Sequence, residues 1–279
     1  MITLGKEIEK NDISTEPVRC EIIPLLGESS ERVELCQILV GRKRIRLIPS
    51  SPMGVHLEAL LQASAQPSHP VSERLGGRTT IIPCVGDGDE NVVLKSYHRG
   101  GVLRNVLPKG VFLGWGEERS EREFRALVTA RALGILVPRP LGTIVTTGLF
   151  RREWLIMESL PAHRTLASIA LDEERSGDIS APLEHYLRVV ADSIEQLVEV
   201  GILHVDLHPG NVVVSDEGNV FLIDFDHAEA TSCNPKLLRE RYIRRWRRAV
   251  IKHELPEFLS EIFCGLLRRR ENSLHEEAS

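Results

Sequence analysis

The chain has 279 residues, enough to bury a sizeable core. Its net charge of −5, from 40 acidic against 35 basic side chains, argues against general nucleic-acid binding. The five cysteines, at 20, 36, 84, 233 and 264, have no CxxC or zinc spacing and read as unpaired thiols of a reducing compartment.

The first ten residues lack an apolar signal core, and no run approaches the roughly 18 apolar residues of a membrane span. The expectation is a cytoplasmic or peripheral protein. Residues 1–68 form an N-terminal extension of uncertain fold. Within it Val33 to Ile48 alternates in part and suggests a strand pair, while Ser64 to Pro70 reads as a linker. The extension either lengthens the following sheet or forms a small appendage.

A β-rich segment is expected over 69–158. Gly76, Gly77 and Arg78 stand before the strand-forming run Thr79–Ile82. Two glycines let backbone N–H groups approach a phosphate and Arg78 adds charge, although a plain tight turn fits equally well. Gly86 to Asp89 reads as a hairpin turn leading into Val92–Tyr97, a β-branched strand that carries Lys95. A helix is expected from Glu117 to Leu133, with apolar residues at helical spacing. A strand lysine followed by a helix glutamate is the order of a phosphate-pairing lysine and its carboxylate partner. Glu123 is the preferred partner, with Glu121 and Glu118 as alternatives. The run Glu153–Glu158 reads as a further strand, after which backbone groups near Met157 and Glu158 would meet an adenine.

A mainly helical segment is expected over 159–279. It contains His204, Asp206, Asn211 and Asp224 in an H-x-D-x4-N pattern followed by D-F-x. Asp206 can accept a proton from a hydroxyl, and Asn211 and Asp224 offer the hard oxygens that Mg²⁺ prefers. Between them, two β-branched runs flank the polar turn Ser215–Asn219. A hairpin there would return Asn211 and Asp224 to the same end. Phosphoryl transfer from ATP asks for little beyond such positioning and charge compensation.

This set resembles the catalytic core of the protein-kinase-like superfamily, which implies an α+β bilobal fold with a β-rich N-lobe and a mainly helical C-lobe. Three departures narrow the substrate. Val205 stands where many protein kinases have arginine, no A-P-E follows Asp224, and His227 to Pro235 is short for a peptide-docking segment. Asp226 also replaces the glycine of D-F-G.

With Lys95 to Leu103, Arg122 to Phe124 and Gly134 to Pro140, the chain from about 70 to 255 is similar to the bacterial lipopolysaccharide core kinases, especially those acting on 3-deoxy-D-manno-octulosonic acid (Kdo). The resemblance implies transfer of the ATP γ-phosphate to a sugar hydroxyl of the lipopolysaccharide inner core, Kdo on a lipid A precursor, at the cytoplasmic face of the inner membrane. It implies Asp206 as catalytic base, Asn211 and Asp224 as magnesium ligands, and Lys95 on phosphate. Arg99-Gly100-Gly101 is either an anion-binding turn or a structural one. Alternatives are an atypical protein kinase, another small-molecule kinase and a non-catalytic kinase-fold scaffold.

The C-terminal region is basic. Arg239, Arg241, Arg244, Arg245, Arg247, Arg248 and Lys252 oppose Glu240, while Leu238, Tyr242, Trp246 and Val250 recur every four residues. This predicts an amphipathic helix that packs by its apolar face and presents Arg244, Arg245, Arg247 and Arg248 to anionic lipid. Oligomeric state is not legible.

Overall fold

The computed structural model describes residues 19–24, 26, 32–48, 57–65, 79–84, 92–97, 112–113, 116–148, 150–177 and 179–277. The glycine pair with Arg78, the turn at 86–89 and the Arg99-Gly100-Gly101 loop lie outside them. The chain is α+β, with strands dominating one compact unit and helices the other. The first unit draws on residues up to 24, from 31 to 125 and from 139 to 159; the second on 25–30, 126–138 and 160 onward.

The first unit is built on a seven-stranded sheet in which every neighbouring pair is antiparallel. Its strands are β1 (Arg19–Pro24), β2 (Arg32–Val40), β3 (Lys43–Leu47), β4 (Thr79–Cys84), β5 (Val92–Tyr97), β7 (Pro140–Thr146) and β9 (Glu153–Glu158), in the order β1-β2-β3-β7-β9-β5-β4. The strand pair expected at Val33–Ile48 is the β2–β3 hairpin. It does not stand apart, because β3 pairs with β7 from Lys43↔Thr146 to Leu47↔Gly142. Two short strands, β6 (Phe112–Leu113) and β8 (Phe150–Arg151), pair separately.

Alternation along the strands divides the side chains between the two faces. On one face Ile45, Leu47, Val92, Leu94, Ile144, Trp154 and Ile156 form a buried cluster with Leu60 of α1 (Leu57–Ala63). Lys43 fixes that helix by donating from Nζ to Leu61 O (3.1 Å) and to Ser64 Oγ (2.6 Å). Ser64, read from sequence as the start of a linker, is therefore a buried anchor at the helix end. The odd residues of β5, Lys95 and Tyr97, take the opposite face with α2 (Arg119–Ala132).

The second unit is mainly helical. It comprises α3 (Leu166–Ser176), α4 (Ala181–Glu199), α5 (Pro235–Lys252) and α6 (Phe258–Glu277), with the short strands β10 (His163–Thr165), β11 (Ile202–Leu203), β12 (Val212–Ser215), β13 (Val220–Leu222) and β14 (Glu229–Ala230). Thr165, Ser180 and Asn234 cap α3, α4 and α5, each side chain accepting a first-turn N–H. Pro182 and Pro235 occupy first-turn positions, where a missing N–H costs nothing. Along α4, Leu183, Leu187, Val190, Ile194, Leu197 and Val198 are buried at helical spacing. Trp246 of α5 stacks on Phe263 of α6 (centroids 4.2 Å) and donates from Nε1 to Leu259 O (3.1 Å), locking these two helices together.

Candidate active site

In the first unit Lys95 and Glu123 form a buried ion pair. Nζ lies 2.7 Å from Oε1, and the side chains are 6% and 2% exposed. Glu123, rather than Glu121 or Glu118, is the partner of Lys95; those two face β3 instead. Tyr97 donates from its hydroxyl to the other carboxylate oxygen of Glu123 at 2.6 Å. The sequence contains the signal for this contact, since Tyr97 lies two residues beyond Lys95 and a strand turns both to one face.

The start of α2 is held by a second charged cluster that sequence reading missed. Glu153, fully buried on β9, accepts from the backbone N–H of Ser120 (3.0 Å). Its other oxygen meets Arg151 Nε (2.7 Å), whose two remaining nitrogens donate to Gly116 O and Glu117 O (2.9 and 2.8 Å). A carboxylate at the helix N-terminus is favoured by both the unpaired N–H groups and the dipole. Met157 is buried in β9 opposite Val93. Glu158 is engaged twice by Arg139: its N–H donates to Arg139 O (2.9 Å) and its carboxylate accepts from Nη1 (2.6 Å).

In the second unit the hairpin of β12 and β13 pairs Val212 with Leu222. One residue beyond that pair, Ile223 N donates to Asn211 O at 3.0 Å, so Asn211 and Asp224 emerge at the same end. The Asn211 Nδ2 donates to Asp206 O (2.8 Å). A carbonyl can only accept, so this bond orients the amide and assigns Oδ1 as its remaining acceptor. The carboxylate of Asp206 is exposed. Asp224 has a left-handed backbone, φ 65°, unusual for a residue with a Cβ and a mark of strain at functional positions.

Two histidines support this loop. His204 is fully buried, with Nε2 3.0 Å from Ile223 O and its ring 4.3 Å from that of Phe225. A proton on Nε2 satisfies that carbonyl. Burial lowers its pKa, a shift opposed by Ile223 O and by the charges of Asp224 and Asp206. His208 accepts from Gly210 N at Nδ1 (3.0 Å), capping the 3₁₀ turn Pro209–Asn211. Burial lowers its pKa as well; the Asp206 charge opposes this and neighbouring His253 adds to it. The charges of Asp206 and Asp224 oppose the shift at both rings.

Helix α5 grips the backbone just before Asp206. The Tyr242 hydroxyl accepts from His204 N (2.8 Å) and donates to Ile202 O (2.9 Å), and Arg245 Nη1 donates to Val205 O (2.6 Å). This corrects the expectation that Arg245 belongs to a lipid-facing set. Two further cations of α5 are paired: Arg239 in a buried contact with Glu195 (2.8 Å), and Arg241 at the surface with Glu229 (2.9 Å). Arg244, Arg247, Arg248 and Lys252 remain exposed.

The donor set Asn211 and Asp224 fits Mg²⁺, which takes one or two protein oxygens and completes its shell with phosphate and water. Among the described residues there is no cluster of three or more His, Cys, Asp or Glu placed to hold a metal by itself.

The lipopolysaccharide kinase (Kdo/WaaP) family matches residues 62–258. A 3-deoxy-D-manno-octulosonic acid kinase of Vibrio parahaemolyticus serotype O3:K6 is 29% identical over 167 residues, covering 58% of this chain and 67% of the relative. One from Vibrio cholerae serotype O1 is 31% identical over 135 residues, covering 48% and 54%. One from Stenotrophomonas maltophilia strain R551-3 is 32% identical over 162 residues, covering 57% and 61%. The matched stretch thus spans between 54% and 67% of these relatives' length. A solved structure described as WaaP in complex with acyl carrier protein covers 78% of this chain and 86% of its own at 14% identity, with a TM-score of 0.53. At that identity the likeness carries the kinase-like α+β fold alone.

Proposed function

The chain belongs to the lipopolysaccharide kinase (Kdo/WaaP) family, and from that footing we propose that it transfers the γ-phosphoryl group of ATP to a sugar hydroxyl of the lipopolysaccharide inner core, Kdo on a lipid A precursor being the acceptor. The observation that carries this reading is the hairpin that presents Asn211 and Asp224 at one end, with the Asn211 amide tied to the backbone of Asp206.

Asp206 accepts the proton of the attacking sugar hydroxyl; its exposed carboxylate, on a backbone held by Asn211 and Arg245, suits that role. Lys95, held by Glu123, pairs with nucleotide phosphate. Asn211 Oδ1 and Asp224 would hold Mg²⁺, which when bound neutralises phosphate charge. Gly76, Gly77 and Arg78 remain candidates for a phosphate-covering turn, and Met157 with Glu158 for the edge of the adenine site. The path after Asp224 favours a small acceptor. It runs through the two-residue β14 and enters α5 at Pro235, a short course for a polypeptide-docking segment.

Work at the cytoplasmic face of the inner membrane would bring the enzyme to its glycolipid. Among the described residues no helix is long and apolar enough to cross a membrane. The exposed Arg244, Arg247 and Arg248 would supply the contact with anionic headgroups.

The experiment is direct. Purified protein is incubated with ATP, Mg²⁺ and a Kdo-bearing lipid A precursor, and the glycolipid is read by mass spectrometry. A mass gain of one phosphate on the Kdo residue supports the reading. Label that appears on protein alone refutes it.

A further inference from the structure

The family match begins at residue 62, so β1, β2 and β3 lie wholly outside it. These strands nevertheless join the sheet that carries Lys95, through the pairing of β3 with β7. Along β3, Ile45 and Leu47 turn to the buried cluster beneath α1, whereas Arg44 and Arg46 turn to the face occupied by α2.

There the two arginines reach the beginning of α2. Arg44 Nη2 pairs with Glu118, the residue before the helix, and Arg46 Nη1 pairs with Glu121 in its first turn. Arg46 is itself held by the rest of the added strands. Its Nε donates to Gln37 Oε1 on β2 (3.2 Å), and its Nη2 lies 3.2 Å from Glu21 on β1. Farther along α2, Arg125 Nε donates to Pro24 O at the end of β1 (2.9 Å). The Arg44 and Arg46 side chains are 23% and 13% exposed, so water screens these pairs less than it would at an open surface.

Glu121 and Glu123 are two residues apart, about 200° around the helix, and point to opposite flanks. Glu121 is held toward β3 and Glu123 toward β5. Rotation of α2 about its axis would break one contact or the other. In kinase-like enzymes the position of this helix decides whether the lysine and glutamate meet.

We infer that β1–β3 form a built-in clamp that fixes the rotation of α2 at which Glu123 meets Lys95, with Arg44 and Arg46 as positioning residues. The enzyme therefore needs no separate activating event to seat this helix. Only the catalytic consequence rests on the proposed kinase activity; the positional claim stands on the contacts themselves.

The test uses the full chain carrying Arg44→Gln and Arg46→Gln. Amide hydrogen exchange across residues 119–125 should quicken by about tenfold or more. Exchange in α4 and α5 should stay as in the parent protein. The KM for ATP should rise about tenfold, with a smaller change in kcat. Measured against Arg44→Glu alone, the charge-exchanged variant Arg44→Glu with Glu118→Arg should regain protection and KM, which a general loss of packing would not allow. Unchanged protection at 119–125 overturns the clamp, and so does equal loss of protection in α4 and α5, or failure of the exchange to rescue. A parent protein that turns over no ATP with any sugar acceptor would sink the kinase reading, while the exchange data would still decide the clamp.

Discussion

Arg245 reaches from α5 to the carbonyl oxygen of Val205, 2.6 Å from Nη1, and Val205 immediately precedes Asp206. A side chain distant in sequence therefore sets the backbone that aims the candidate base. In many protein kinases an arginine stands at the position of Val205 itself; here a guanidinium reaches the carbonyl of that residue from α5.

Removing that donor should separate chemistry from binding. Arg245→Gln is expected to lower kcat by about tenfold to a hundredfold while nucleotide affinity stays within about twofold. The lost charged hydrogen bond should cost about 1.5–3 kcal/mol of stability. Steady-state kinetics and calorimetric nucleotide titration check this. An equal loss of kcat and nucleotide affinity would assign Arg245 to folding alone.

Asp206→Ala should abolish turnover and leave nucleotide affinity nearly intact, because the carboxylate acts on the acceptor. Asn211→Ala should behave differently. It removes both a candidate cation ligand and the bond to Asp206 O, so metal-dependent nucleotide binding and turnover should fall together. Titrating each variant with ADP, with and without Mg²⁺, distinguishes the two.

The Lys95–Glu123 pair should show opposite signs in stability and activity. Glu123→Leu withdraws the carboxylate from a buried ammonium and is expected to cost about 3–5 kcal/mol. Adding Lys95→Met to that variant removes the charge and should restore a large part of the loss, with turnover still absent. Chemical denaturation of the parent, single and double variants measures it; a double variant less stable than Glu123→Leu contradicts the expectation.

Acid should weaken the second unit through its two buried histidines. His204 and His208 both titrate below their ordinary value of 6.5, chiefly because of burial. The unfolded chain therefore binds more protons than the folded one as pH falls through that value. Their contribution is complete above about pH 7 and is lost progressively below 6.5. Protonation of His208 at Nδ1 would also remove the acceptor for Gly210 N. Denaturation midpoints from about pH 7.5 to about pH 5 should fall, with a shallower slope in His208→Gln.

Membrane attachment should depend on Arg244, Arg247 and Arg248. Their triple replacement by Gln is expected to weaken binding to vesicles rich in anionic phospholipid by about 3 kcal/mol, and added salt should weaken the parent protein likewise. Co-sedimentation provides the measurement. Binding that ignores both the substitutions and salt removes the lipid role.

Much of the second unit's site could be read along the chain because it is local. Asp206, Asn211 and Asp224 fall within 19 residues, and the β-branched runs between them encode the hairpin that unites the last two. That Lys95 meets a glutamate of the following helix was also legible, with Glu123 preferred; the choice against Glu118 and Glu121 came from packing, which turns those two toward β3. The roles of the arginines were not. The cations of α5 look alike in sequence, yet burial separates Arg239 and a single carbonyl recruits Arg245. The place of β3 beside β7 was equally hidden. Residues about a hundred positions apart meet there, and pairing at such range depends on which sheet edge is open, not on local propensity.

Gly142 carries a further implication. A methyl group at that position would lie 2.1 Å from Arg46 O and 2.8 Å from a Leu47 methyl carbon, so even alanine would wedge β3 away from β7. Arg44 and Arg46 ride on the strand that would be displaced. A bare α-carbon at 142 is thus the docking notch for the extra strands, and a two-part fingerprint follows: an Arg-x-Arg strand upstream and a side-chain-free residue about a hundred positions later. Chains of this family that carry both should share the self-seating helix, and chains that lack either should have to seat it by other means.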